Sequence, residues 1–254
     1  LYLQQSLWIF LQQRQKKMNY DSLISYIHSP PLTWLIATLA AFKLGIIIYE
    51  KFNKHTLLQP IIIAYVIILS LIVFTNTSFE EYFKGVEIIH FFLGPATVAL
   101  ALPLYKNLKY VKSLFIPIVL TLFIAGVFSI VIAVSLLYVF GAELPTILSM
   151  TTKSITAPIA IITSQQIGAI PSLAVGFVLI TGIIGALFGT IVFKIFKVKY
   201  ETSKGFALGL VSHGIGTARA IEISEKAAAF GALAMGLSGI FTAIFLPMII
   251  TFFK

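Results

Sequence analysis

The 254-residue sequence contains no cysteine, so disulfides and thiolate metal sites are excluded. Charged residues are nearly as scarce. They make up 11% of the chain, where a soluble domain carries roughly a quarter. Acidic residues number only nine, against eighteen Lys and Arg. Such a chain cannot cover a water-facing surface. Apolar residues fill the gap at 59%, with a mean hydropathy of +1.00. They fall in runs of about 20 residues, the length of a bilayer-crossing helix; 57–74 and 114–140 are clear cases. Barrel strands alternate in polarity and are about half as long, so helices follow. The expected fold is an all-α polytopic membrane protein, with about six full spans plus two interrupted or re-entrant segments.

The net charge is +9, but the basic residues sit mostly in short loops and mark topology. No stretch joins a basic patch to an aromatic platform, so no nucleic-acid partner is expected. The expected spans are 32–49, 57–74, 88–105, 114–140, 172–196 and 227–253. Lys51, Lys54 and His55 place the first loop inside the cell. The segment 75–87, with Glu80, Glu81 and Glu87, reads as an outer loop. Lys106, Lys109 and Lys112 are inner again, Glu143 is outer, and Lys194, Lys197 and Lys199 are inner. Residues 1–31 form an extension of unassigned role; its first 17 residues precede Met18, a candidate natural start. Residues 32–254 read as a single membrane domain.

Two segments are too polar to face lipid. The first is 144–168, with Thr151, Thr152, Lys153, Ser154, Thr156 and Pro158 near its middle. The second is 204–224, with Ser212, His213, Gly214, Gly216, Thr217, Arg219 and Glu222. The charge rule puts both ends of the first segment outside. It is therefore re-entrant, or a broken crossing whose ends the rule misplaces. The stretches around Gly126 and Gly182 resemble each other, as do those around Thr156-Ala157 and Thr217-Ala218. Units 113–168 and 172–224 would then form an inverted repeat, the usual build of secondary transporters. Chance likeness between small-residue apolar stretches is the competing explanation.

Lys153, His213 and Arg219 are basic groups in apolar or small-residue surroundings. At membrane depth such groups are costly and usually face a cavity or a partner. Helix breaks near Thr156 and Pro158, and near Pro95, Ala96 and Thr97, would aim backbone N–H groups at an anion. Ser154, Ser212, Thr217 and the Gly216 backbone would complete a pocket for a small organic anion. Arg219 could hold its carboxylate in bidentate fashion. Equally, Glu222 is spaced to pair with Arg219 or Lys226, His213 could be a packing hydrogen bonder, and Lys153 an interfacial anchor. No cofactor is expected; H⁺ or Na⁺ coupling stays open. No nucleophile–base set, phosphate loop or metal-ligand spacing is present, so no enzyme is expected.

Five ordered stretches make a family likeness. They are FLGPATVALALPLYKN (92–107), KSITAPIAI (153–161), LITGIIGA (179–186), GLVSHGIGTARAIE (209–222) and AFGALAMGLSGI (229–240). Together they resemble the LrgB/CidB family from about residue 32 onward. Gln59, Thr152 and Ala228 stand where the family usually has Asn, Pro and an acidic residue. The resemblance implies a protein of the bacterial cell (inner) membrane in one of two roles. One is an antiholin-like regulator of murein hydrolase activity and cell lysis, with a small holin-like partner of the LrgA/CidA type. The other is carriage of glycolate, glycerate or pyruvate, as in the related plastid transporter. Low charge and small-residue faces also permit a homodimer.

Overall fold

The computed structural model describes residues 30–53 and 58–252. Residues 1–29, and Lys54 and His55, lie outside the described residues. Among the described residues the chain is helical, with no strand. Helices long and apolar enough to span are Leu32–Lys51, Phe79–Lys106, Phe115–Val139, Pro171–Ile195 and Glu225–Phe252. The helix Pro60–Thr75 is apolar but has 16 residues, about 24 Å, slightly short of the hydrocarbon core. This is an integral membrane architecture.

The chain divides into two compact units, Leu1–Gly94 and Pro95–Lys254. The first holds α1 (Pro30–Lys51), α2 (Pro60–Thr75) and most of α3 (Phe79–Ala99). A Cβ on Gly45 of α1 would lie 2.6 Å from the Pro60 carbonyl oxygen, so only glycine lets α2 begin there. Trp34 meets Tyr82 edge to face at 5.5 Å. The third span starts earlier than the sequence suggests. Glu80, Glu81 and Glu87 are not in a loop but within α3. Ser78 explains why: its Oγ accepts from the Glu81 N–H at 3.2 Å, and both glutamates of the first turn suit the helix dipole.

In the second unit α4 (Ala101–Lys106) and α5 (Leu108–Ser113) precede α6 (Phe115–Val139). Then come α7 (Leu144–Met150), a non-helical link, and α8 (Ala157–Ile167). The rest is α9 (Pro171–Ile195), α10 (Glu201–Ile223) and α11 (Glu225–Phe252). The outer faces of α6 and α9 stay exposed through Phe123, Ile124, Phe128, Ile180 and Phe188, as a lipid-facing surface requires.

Both polar segments turn out to be helical hairpins. In the first, Ser149 near the end of α7 accepts from the Ile170 N–H beyond α8 at 2.9 Å. It also donates to the Pro145 carbonyl at 2.7 Å. The end of α8 therefore returns to the level of α7, so the pair enters and leaves by one face, the face of Glu143. Ala160 and Val178 pack together, which runs α8 and α9 antiparallel.

The second hairpin lies inside α10. His213 has φ 41° and ψ −124°, which ends one helix and starts another. Gly216 then lies so close to Leu208 that a Cβ would be 2.1 Å from its carbonyl oxygen. In a continuous helix residues eight apart are separated by about 12 Å. Ser224 donates to the Glu201 carboxylate at 2.9 Å, joining the hairpin's two ends. This hairpin opens on the face of Lys197 and Lys199, since α9 crosses between the two.

Small residues let α11 clamp the second hairpin. A Cβ on Gly205 would sit 2.0 Å from the Ala227 oxygen, and one on Gly209 2.0 Å from the Gly231 oxygen. Both pairs are spaced i, i+4, the small-xxx-small pattern of close membrane helices. Phe206, Leu210, Phe230, Ala234, Ile118 and Leu122 fill the space between α6, the hairpin and α11. We predict that Gly209→Val lowers the thermal unfolding temperature in detergent, by about 1–3 kcal/mol of stability. Gly236→Ala, where a Cβ meets nothing within 4 Å, should leave it unchanged.

Candidate functional site

The tips of the hairpins meet near mid-depth. Ser129 lies ten residues before the end of α6, about 15 Å in from the Glu143 face. Lys153, on the link between α7 and α8, reaches it: Nζ donates to Ser129 Oγ at 2.6 Å and to Ser154 Oγ at 3.1 Å. From the other side, His213 Nε2 lies 3.0 Å from the Val178 carbonyl of α9. A carbonyl only accepts, so Nε2 carries the hydrogen. Ile155 of the first tip packs on the same Val178.

Glycines on α9 make this approach possible. A Cβ on Gly182 would be 2.8 Å from His213 Cε1, and one on Gly185 1.9 Å from Ser212 Oγ. Ser212 is fully buried, and among the described residues its Oγ has no hydrogen-bond partner. Thr217 donates to the His213 carbonyl at 2.8 Å, satisfying an acceptor that the break would otherwise leave open.

Between the tips lies a cavity of about 50 Å³. Thr151 and Ser154 line it from the first hairpin, and Leu210 and Val211 from the second. Ser129 of α6 and Ser238 and Thr242 of α11 complete its polar wall. That volume holds a few waters. A larger groove, about 410 Å³, begins at Tyr200, Thr202 and Ser203 on the basic face. It ends at Ala125, Leu210 and Val211, which are also walls of the cavity.

The electrostatics are one-sided. Lys153 is 8% exposed, and among the described residues no carboxylate lies within ion-pair distance of it. An ammonium buried on hydroxyls alone keeps an unused donor and an uncompensated charge. Thr156 caps α8 only by its extended backbone, and its hydroxyl makes no capping bond. The N–H groups of Ala157 and Ile159 thus remain at a helix start close to Lys153, adding positive potential.

The structure gathers Lys153, Ser154, Ser212 and His213 at the tips, with Thr156 and Pro158 opening α8 beside them. Gly216 and Thr217 are one turn away in the return half of the second hairpin. Arg219 lies further along, and its Nη1 donates to Glu222 in this conformation. Pro95, Ala96 and Thr97 differ from the expectation. The helix runs unbroken from Phe79 to Ala99 with Pro95 inside it, and Pro95 and Ala96 are exposed. A proline costs one backbone hydrogen bond but need not end a helix whose neighbours hold. Thr151 stood out only as part of the first polar segment; Ser129, Ser238 and Thr242 were missed. Their only sequence signal was a hydroxyl within an apolar run.

The sequence profile of the LrgB-like family matches residues 38–252. The chain is 31% identical over 222 residues to the "Antiholin-like protein LrgB" of Bacillus mycoides (strain KBAB4), covering 87% of this chain and 96% of that protein. It is 30% identical over the same length, with the same coverage, to the proteins of that name from Bacillus cereus (strain B4264) and Bacillus anthracis (strain CDC 684 / NRRL 3495). No solved structure matches.

If Lys153 serves a ligand rather than the fold, Lys153→Met should unfold in detergent at or above the wild-type temperature. A buried charge without an acidic partner gives up little when replaced by an apolar chain of similar length. A strong drop in the unfolding temperature would make Lys153 structural.

Proposed function

This chain belongs to the LrgB-like family, and we propose that it acts as a carrier of small monocarboxylates of the pyruvate, glycolate and glycerate class. One observation carries the reading: the buried Lys153 side chain, without an acidic partner among the described residues, bound to Ser129 and Ser154, two residues that line the cavity where the opposed hairpins meet. A carboxylate entering there meets the ammonium, the first turn of α8 and hydroxyls suited to a 2-hydroxy or 2-oxo group. Breaks and inverted entry at the midplane are the architecture in which carriers rock around a fixed site. In this conformation the groove at Tyr200 is the approach. The carrier would act in the bacterial cell membrane, coupled to H⁺ or Na⁺, alone or as a homodimer.

The relatives' names favour a second reading, an antiholin-like regulator; the family resemblance adds a small holin-like partner. It needs a docking surface and no polar cavity. Lysis control could also follow from carbon flux.

Uptake of labelled pyruvate and glycolate into proteoliposomes, under H⁺ and Na⁺ gradients, separates the readings. Wild-type protein should accumulate at least one acid. Lys153→Met should reduce uptake by about 100-fold or more, since charged hydrogen bonds of this kind contribute up to about 3 kcal/mol each. Ala125→Phe, at the junction of groove and cavity, should block uptake while the protein stays folded. No uptake by the wild type under either gradient, with or without a holin-like partner, would leave the regulator.

A further inference from the structure

A second basic site lies away from the hairpin tips, on the face of Lys197. Four lysines ring a groove of about 420 Å³: Lys194 at the end of α9, Lys197 and Lys199 in the link, and Lys204 in the first turns of α10. Phe193, Val198 and Ile223 form its apolar floor, and no acidic residue lines it. Among the described residues none of the four lysines makes an ion pair.

Topology marking alone explains basic residues on this face, but not this arrangement. Lys197 has φ 52°, in the left-handed region that favours glycine. It terminates α9: its N–H bonds to the Lys194 carbonyl at 3.2 Å, and the Val198 N–H to the Phe193 carbonyl at 2.9 Å. Those bonds make the helix end that glycine usually occupies. A lysine there bears backbone strain, and what it offers in return is an ammonium directed to the groove. The groove adjoins the end of a spanning helix, at the level of lipid headgroups. Ammonium groups above an apolar floor match a phosphodiester with acyl chains below it.

We propose that this groove binds the headgroup phosphate of an anionic phospholipid of the surrounding leaflet. The lipid would tie the end of α9 to the start of the second hairpin, the element whose ends Ser224 and Glu201 join. This site is independent of the carrier reading and stands or falls without it.

The test uses the full chain in nanodiscs of phosphatidylcholine containing phosphatidylglycerol, with retained lipids counted by native mass spectrometry. Lys197→Gly suits the backbone and removes only the side chain, so the fold is kept. It should lower retained phosphatidylglycerol by about five-fold, and Lys194→Gln with Lys204→Gln by more. Lys109→Gln with Lys112→Gln, in another basic stretch outside this groove, should change nothing. Equal losses in both sets, or none in either, overturn the proposal. Displacement of the lipid by millimolar glycerol phosphate would assign the groove to a soluble phosphate and overturn the lipid assignment.

Discussion

Hydrocarbon offers no hydrogen bonds, so a helix that breaks at membrane depth must be answered from inside the protein. The rest of the second unit follows from that constraint. The link 151–156 breaks the first polar segment, and its hydroxyls turn back on nearby carbonyls: Thr151 on Leu148 at 2.6 Å and Thr152 on Ser149 at 2.9 Å. His213 breaks the second, and Thr217 and Val178 satisfy its carbonyl and ring. Each break needs packed neighbours, and each is supplied by the glycine-lined faces of α9 and α11. The glycines that look like weak points in apolar helices are where backbones touch.

The same constraint shapes the chemistry. Among the described residues no carboxylate pairs with Lys153, and hydroxyls alone hold its amine. Two hairpins entering from opposite faces bring Ser154 and Val211 to one cavity, reached along a groove from one side. The walls of that cavity belong to different elements: the hairpins, α6 and α11. Packing of such elements is bistable rather than continuously deformable.

Much of this was legible in the chain. Runs of apolar residues placed the spans within a few residues, except where Ser78 started α3 early. Thr, Ser and Pro near the middle of 144–168 located the first break, and the charge of flanking loops put its ends on one face. The return at His213 was not readable, because it depends on Gly216 meeting Leu208 and on α11 closing over Gly205 and Gly209. These contacts are fixed by packing and not by local propensity. The site shows the same division. Lys153 and His213 stood out as costly residues, whereas Ser129, the hydroxyl that holds Lys153, lies 24 positions away in an apolar helix. Arg219 was singled out by charge, yet Glu222 three positions on was already spaced to take it.

The two hairpins enter and leave by opposite faces. The chain has no native cysteine, so single cysteines report on it without background. Ala142→Cys and Ala169→Cys flank the first hairpin; Lys199→Cys and Glu225→Cys flank the second. A membrane-impermeant maleimide, applied to vesicles of each orientation, should label the first pair from one side and the second pair from the other. Labelling of Ala142→Cys and Ala169→Cys from different sides would make the first segment a crossing, and would rule out opposed hairpins.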